Sequence, residues 1–263
     1  ESPEQGGVRL VKTYTLKRGD YVARVRHEVV NAGGEPVSPQ LYVQLVRDGN
    51  PAPGGTSFYS TFTGPAFYTD AKKFQKVEFA DIDKGKAEFV TQAPDGWVAM
   101  VQHYFASAWL LPPGMAHDNF ARKLDNALYA AGMIAPMGAI APGASQAVET
   151  RLFIGPQDEK VLEGIAPGLE LVKDYGYFTI LAKPLYWLLD KLHGVLGNWG
   201  WAIVALVVLL KIAFYWLNAK AYASMAKMKS INPRIQEMRE RLKDSPQQMQ
   251  QEMMRIYREE KVN

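Results

Sequence analysis

One charge interrupts the most apolar stretch of this 263-residue sequence. Trp199–Leu217, WGWAIVALVVLLKIAFYWL, carries Lys211 and no acidic residue. Lys211 lies 12 residues past Trp199, about 18 Å along a helix rising ~1.5 Å per residue. A cation near the bilayer centre costs about 2.5–3.5 kcal/mol on insertion scales, so such residues usually face protein or a water-filled cavity. In a cavity the ammonium would attract an acidic group. The alternative is snorkelling: Leu217 is six residues further on, roughly 9 Å, and the lysine stem could carry its head to the headgroups. The residues alone leave both readings open.

A second chemistry-bearing cluster lies beyond the stretch. Six of the ten methionines fall in the last 39 residues: Met225, Met228, Met238, Met249, Met253 and Met254. Flexible thioethers suit a surface that meets varied apolar partners, or they fill a thin core between two helices. Arg234, Arg239, Arg241, Lys243, Arg255 and Arg258 supply a basic face fit for anionic lipid or ribosomal RNA phosphate; a solvated face would use the same residues. Catalytic patterns are poor. His27, His103, His117 and His193 have no metal-ligand spacing, and no P-loop, GxGxxG or GxSxG occurs. Cysteine is absent, which excludes a disulfide scaffold, a thiolate metal site and a cysteine nucleophile. We expect no catalytic residue, no metal and no cofactor. Scattered acids in the first half leave a two-carboxylate sugar enzyme as a third-rank reading.

The elements that must position these residues change character along the chain. At about 150 residues per domain the length allows one or two domains, and a mean hydropathy of −0.18 excludes a polytopic membrane protein. From Val8 to about Val172 the pattern is β. The predicted strands are Val8–Leu16, Tyr21–Val30, Gln40–Val46, Phe58–Phe62, Phe74–Phe79, Ala87–Thr91, Gly96–Trp109, Leu128–Ile134 and Ala147–Ile154. Glycine- and proline-rich turns separate them, such as Asn31-Ala-Gly-Gly34, Pro51-Ala-Pro-Gly-Gly55 and Pro94-Asp-Gly96, the pattern of an antiparallel sandwich or barrel. After Pro167 the period becomes helical. Leu181, Leu185, Leu188, Leu189 and Leu192 share one face, with Pro184 near the start and aromatics flanking the stripe; such a helix packs on the sandwich or, beside the apolar stretch that follows it, lies in a membrane interface.

Trp199–Leu217 then has the length and aromatic ends of a transmembrane helix. Asn218–Ser230 contains Lys220, Lys227 and Lys229 and no acid, so this side should be cytoplasmic. Residues 218–263 hold 10 basic against 6 acidic residues, a net +4, whereas the whole chain is +3. The tail reads as an antiparallel helical hairpin. Its first helix starts at Asn232-Pro233 with the stripe Ile235, Met238 and Leu242, and Lys243-Asp244 makes the turn. The second starts at Ser245-Pro246 with the stripe Met249, Met253, Ile256 and Tyr257.

Several strings resemble the bacterial YidC family of membrane-protein insertases. They are Gly197-Asn-Trp-Gly-Trp-Ala-Ile203, Ser224-Met-Ala-Lys-Met228, Asn232-Pro-Arg-Ile235, Met238-Arg-Glu-Arg241 and Gln251-Glu-Met-Met254 with Glu260-Lys-Val-Asn263. Upstream, Lys17-Arg-Gly-Asp-Tyr21, Gly96-Trp-Val-Ala-Met100, Tyr104-Phe105, Ala108-Trp109 and Val172-Lys-Asp-Tyr-Gly176 are similar to the family's large periplasmic domain. The resemblance implies an all-β periplasmic sandwich, a mutarotase-like β-supersandwich, over residues 1–173. It implies an interfacial amphipathic helix over 174–197, a transmembrane helix over 198–218 and a cytoplasmic helical hairpin over 219–263. The location would be the bacterial inner membrane, with residues 1–197 on the periplasmic side.

The implied activity is insertion and folding of nascent membrane proteins, alone or with the Sec translocon, without a nucleotide and without chemical catalysis. A positively charged intramembrane groove would take the substrate's hydrophilic part, and Lys211 falls at the groove's cationic position. Met225, Met228, Met238, Arg239, Arg241, Met253 and Met254 of the hairpin would contact substrate, the ribosome or targeting factors, and the phospholipid bilayer would be the remaining partner. Well-known Gram-negative members of the family carry Arg where this chain has Lys211; Arg holds its charge more firmly and offers a fork of donors. The resemblance also implies that the family runs on past Asn263 and begins before Glu1, so we expect the sequence to be a fragment. The competing reading is a membrane-anchored β-sandwich that binds a glycan or peptide.

Overall fold

The computed structural model describes residues 1–50, 62–124, 127–173, 175, 179–242 and 246–259. The expected turn at 51–55, all but the last residue of the strand at 58–62, and the turn and N-cap at 243–245 lie outside the described residues. The chain forms two compact units, Glu1–Tyr177 and Phe178–Asn263.

The first unit contains strands β1 (Val8–Thr15), β2 (Val22–Asn31), β3 (Gln40–Asp48), β4 (Gly64–Thr69), β5 (Lys73–Lys76), β6 (Gln92–Ala93), β7 (Trp97–Val101), β8 (Phe105–Leu110), β9 (His117–Lys123), β10 (Leu128–Pro136) and β11 (Ser145–Pro156). They pair in two antiparallel sheets, one ordered β1-β2-β11-β8-β7-β4-β5 and the other β3-β10-β9-β6. Short helix α1 (Phe79–Asp83) follows β5, while α2 (Glu159–Glu163) and a 3-10 turn (Leu169–Val172) follow β11.

In the middle of the larger sheet, at β4 and β7, both faces are buried. Alternation along β7 makes this possible: Val98 joins a core with Val25, Val29, Phe67 and Trp109 of the same sheet and Val43 and Met133 of the smaller one. Trp97, Ala99 and Val101 point the other way, against Phe153, Leu162, Leu169 and Val172. The buried indoles each find an acceptor: Trp97 Nε1 donates to the Pro167 carbonyl at 3.0 Å and Trp109 Nε1 to the Gln44 carbonyl at 3.1 Å. Asp158 caps α2 by accepting from the Lys160 and Val161 amides.

The structure departs from the sequence expectation at several strands. Gly96–Trp109 is a hairpin of two strands, β7 and β8, rather than one. Ala87–Thr91 is not a strand, whereas β4 and β9 are strands that the pattern did not show. All six residues of β4 are buried, so no alternation marks it, and β9 reads His-Asp-Asn-Phe-Ala-Arg-Lys, polar in sequence.

The second unit is helical: α3 (Thr179–Leu196), α4 (Trp199–Ala213), α5 (Tyr215–Arg241) and α6 (Pro246–Glu259). α3 closes at Gly197, whose φ of 66° lets the chain turn and whose amide bonds the His193 carbonyl. Asn198 then caps α4 through the Gly200 and Trp201 amides. The stretch expected as one span is divided. α4 ends at Ala213 and α5 starts at Tyr215, with a bend of 63° between them. No single helix among the described residues is long and apolar enough to cross a membrane; the bent pair passes together. The expected helix start at Asn232-Pro233 is corrected as well, because α5 runs through it with Pro233 inside. The carbonyl that loses its helical partner to the missing proline N–H is that of Lys229, an exposed residue.

Candidate functional site

α4 packs one side on α3. Ala202 is fully buried there, and the His193 ring stacks on Trp199 with centroids 3.8 Å apart and planes 8° apart. Lys211 is nine residues from Ala202, about half a turn away at 100° per residue. It therefore sits on the opposite side of the helix with Val204, Val207 and Val208, all exposed. Lys211 also occupies the last turn of α4, the end at which the helix dipole favours a cation. The arrangement is an apolar helix face with one cation near its C-terminal end.

In the hairpin, α5 and α6 pack through Ile231, Ile235, Met238 and Ile256, with Leu242, Met249, Met253 and Tyr257 around them. Every residue of both expected stripes is in this cluster. That settles how the methionines divide. Met238 is only 4% exposed and Met253 is packed on the cluster, so these two fill the hairpin core. Met225, Met228 and Met254 are open, at 65%, 48% and 60%. Arg239 and Arg241 are exposed. Arg255 pairs with Glu259 at 2.9 Å and with Glu252 at 3.7 Å.

The β unit holds two carboxylates that the sequence did not single out. Asp70 and Asp95 line a cavity of about 220 Å³ with Tyr68, Trp97, His117 and Arg151. They are 25 residues apart and meet because β4 pairs with β7. Both serve the turn: the Asp70 amide donates to Asp95 Oδ1 at 2.8 Å, while Asp70 Oδ1 accepts from the Tyr68 hydroxyl and lies 3.4 Å from Lys73 Nζ. His117 Nδ1 donates to the Met115 carbonyl at 2.9 Å, and His27 contacts the Thr150 hydroxyl at 3.1 Å. Among the described residues no group of three His, Cys, Asp or Glu could hold a metal ion.

A β-sandwich unit followed by apolar and basic helices defines the class, and the family comparisons describe the two parts as a periplasmic domain and an inner membrane protein. Residues 1–188 match the family described as YidC periplasmic domain, and residues 191–263 match the family described as 60Kd inner membrane protein. The chain belongs to the YidC family. It is 57% identical over 263 residues to a "Membrane protein insertase YidC" of Burkholderia vietnamiensis, covering all of this chain and 47% of that relative. A protein of the same name from Burkholderia cenocepacia is 58% identical, with 48% of it covered, and one from Cupriavidus taiwanensis is 58% identical over 260 residues, with 46% covered. The chain thus spans about half the length of the curated relatives it matches.

Solved structures overlap the β unit. A putative aldose 1-epimerase from Escherichia coli K12 aligns with a TM-score of 0.36 at 13% identity, covering 57% of this chain and 60% of that one. A galactose mutarotase-like protein from Lactobacillus casei aligns with a TM-score of 0.31 at 9% identity, covering 56% and 63%. The sandwich assignment rests on the two sheets themselves.

Proposed function

We propose that this protein inserts nascent membrane proteins into the bacterial inner membrane and assists their folding there, alone or with the Sec translocon. The observation that carries the reading is identity of 57–58% along the whole chain to relatives named membrane protein insertase. The β unit then lies in the periplasm, α3 lies in the interface, α4 enters the bilayer, and the hairpin lies in the cytoplasm.

Lys211 is the groove's cation in this reading. Its position opposite the α3-packed side supports the role, because the ammonium is turned to whatever occupies the open face of α4. An acidic segment of a substrate held there exchanges part of its hydration for the ammonium, and its apolar segment moves sideways into lipid. Met225, Met228 and Met254, with Arg239 and Arg241, form the adaptable surface for substrate, ribosome or targeting factors; Met238 and Met253 support that surface from within.

The test uses the full-length protein in membranes. Protease protection would score insertion of a substrate with an acidic translocated tail and of a control with a neutral tail. Lys211→Ala should slow the acidic substrate about tenfold, the equivalent of ~1.4 kcal/mol, while Lys211→Arg should keep wild-type insertion. Normal insertion of the acidic tail by Lys211→Ala would refute the electrostatic role.

A further inference from the structure

Two hairpin turns, β1–β2 and β7–β8, and the C-terminal end of β11 meet at one end of the larger sheet, and each presents apolar side chains to solvent. Tyr21 precedes β2, and its carbonyl accepts from the Ile154 amide of β11 at 2.9 Å. Its ring covers Gly155, where an added Cβ would lie 2.8 Å from it. Phe105 pairs with Pro156, and the Gln157 amide donates to the Tyr104 carbonyl at 2.9 Å. Gln157 Nε2 ties the same corner together by donating to the Gln102 carbonyl at 2.7 Å. Leu16, Tyr21, Tyr104, Phe105 and Ile154 are therefore neighbours by strand order, although they are scattered over nearly 140 residues of sequence. They are exposed by 78%, 46%, 70%, 57% and 58%.

Tying down four strand ends while leaving their largest apolar side chains bare marks an interaction surface rather than a packing defect. Charge indicates what it meets. Lys17 and Arg18 stand in the turn between Leu16 and Tyr21, whereas Asp20 is directed to the Val22 amide at 3.0 Å and Asp158 to the Lys160 amide at 3.0 Å. Tyrosine, phenylalanine and leucine beside Lys and Arg are the composition of a polar–apolar boundary, with an amphipathic ring at headgroup level and cations among anionic headgroups. The same chain continues from this end of β11 towards α3 and α4, so tethering supplies the surface at a high effective concentration.

We propose that this sheet end is a membrane-docking edge, by which the β unit rests on the periplasmic surface of the bilayer that α4 enters. The proposal rests on the reading of α4 as a membrane helix. Leu16, Tyr21, Tyr104, Phe105 and Ile154 enter the headgroup layer, and Lys17 and Arg18 pair with phosphates there. Docking fixes which face of the sandwich is turned to the membrane and leaves the opposite sheet end, with Asn31–Glu35, in the periplasm.

The absence of cysteine from this chain makes a direct test possible. Full-length protein carrying a fluorophore on Tyr104→Cys, Glu35→Cys or Val207→Cys, with any cysteine elsewhere replaced, would be reconstituted in vesicles of zwitterionic and anionic phospholipid containing a lipid with a quencher at headgroup depth. A second vesicle set would carry the quencher deep in the acyl chains. Quenching of the probe at 104 at headgroup depth should exceed that at 35 at least threefold, and Lys17→Glu with Arg18→Glu should remove most of the difference. Equal quenching at 104 and 35 would overturn the docking edge. The Val207 probe separates the two ideas: if it is quenched deep in the bilayer while 104 is not quenched, docking fails and the membrane helix stands; if neither depth quenches it, the reading of α4 fails.

Discussion

Acid should loosen the β unit through His27. Its ring lies between β1 and β11, with Nε2 3.1 Å from Thr150 Oγ1, Trp109 at a centroid distance of 6.3 Å and Lys12 nearby. The Thr150 hydroxyl donates to the Val25 carbonyl at 3.3 Å, so the imidazole donates to the hydroxyl oxygen as a neutral ring. Burial, and secondly the Lys12 charge, lower the His27 pKa from 6.5 to about 4. The unfolded chain therefore binds more protons than the native one between these values. Stability rises with pH through that window and is lost as pH falls from about 6.5 towards 4. At pH 5 the full shift corresponds to about 2 kcal/mol less stability than at pH 7.5, and partial exposure of the ring reduces this to about 1 kcal/mol. Hydrogen exchange of the β2 and β11 amides in the reconstituted protein, corrected for intrinsic pH dependence, should show protection falling roughly fivefold for that ~1 kcal/mol. His27→Gln should flatten the profile. A variant profile as steep as the wild type would show that another group carries the pH dependence.

Further tests address packing and division of labour. Gly96 has φ of 105°, and an added Cβ would lie 1.8 Å from the Tyr68 carbonyl oxygen; Gly96→Ala should destabilise the β unit by roughly 3 kcal/mol, read as a lower unfolding midpoint. Met238→Ala should weaken the hairpin by about 2–4 kcal/mol and speed exchange of the α6 amides, whereas Met225→Ala should leave them unchanged. Deleting residues 8–160 from the full-length protein should spare insertion in a protease-protection assay; its loss would favour the reading in which the sandwich is the binding module.

Legibility followed the strength of local periodicity. Both hairpin stripes were readable because a 3.6-residue pattern survives wherever one helix face packs on another. Most long strands of the sandwich were equally plain, with a half-buried alternation bounded by Gly and Pro. β4 was hidden because burial on both faces erases alternation, and β9 because the residues it buries most deeply, His117 and Asn119, are themselves polar. Asp70 and Asp95 are adjacent only through strand pairing, as are Tyr21, Ile154 and Phe105, and no spacing rule reports such neighbours. Pro233 looked like a helix start because local signals favour one there, yet the flanking α5 residues keep the helix continuous. The break at Phe214 involves neither Gly nor Pro; its φ of −94° and ψ of 7° preserve hydrogen bonds on both sides, and nothing in the residue types announces it.

That break changes the physical problem posed by Lys211. On a straight helix through Leu217 the cation would be about 9 Å from the end, deep enough to require either a cavity or a fully stretched stem. With α4 ending at Ala213, the helix is about 22 Å long and Lys211 is roughly 3 Å from its last residue. The ammonium then needs only part of its stem to reach polar surroundings at the bend. The cost of placing the charge falls, but its availability rises: a head near the bend stands where Lys220, Lys227 and Lys229 follow on α5, with no acid between Asp190 and Glu237. An acidic substrate segment approaching from the hairpin side would meet a continuous positive field ending at Lys211 rather than an isolated buried cation. Charge reversal at Lys220 and Lys227 should therefore slow the acidic-tail substrate even with Lys211 intact, without affecting a neutral-tail control. Equal insertion of both substrates by that double variant would confine the electrostatic effect to Lys211.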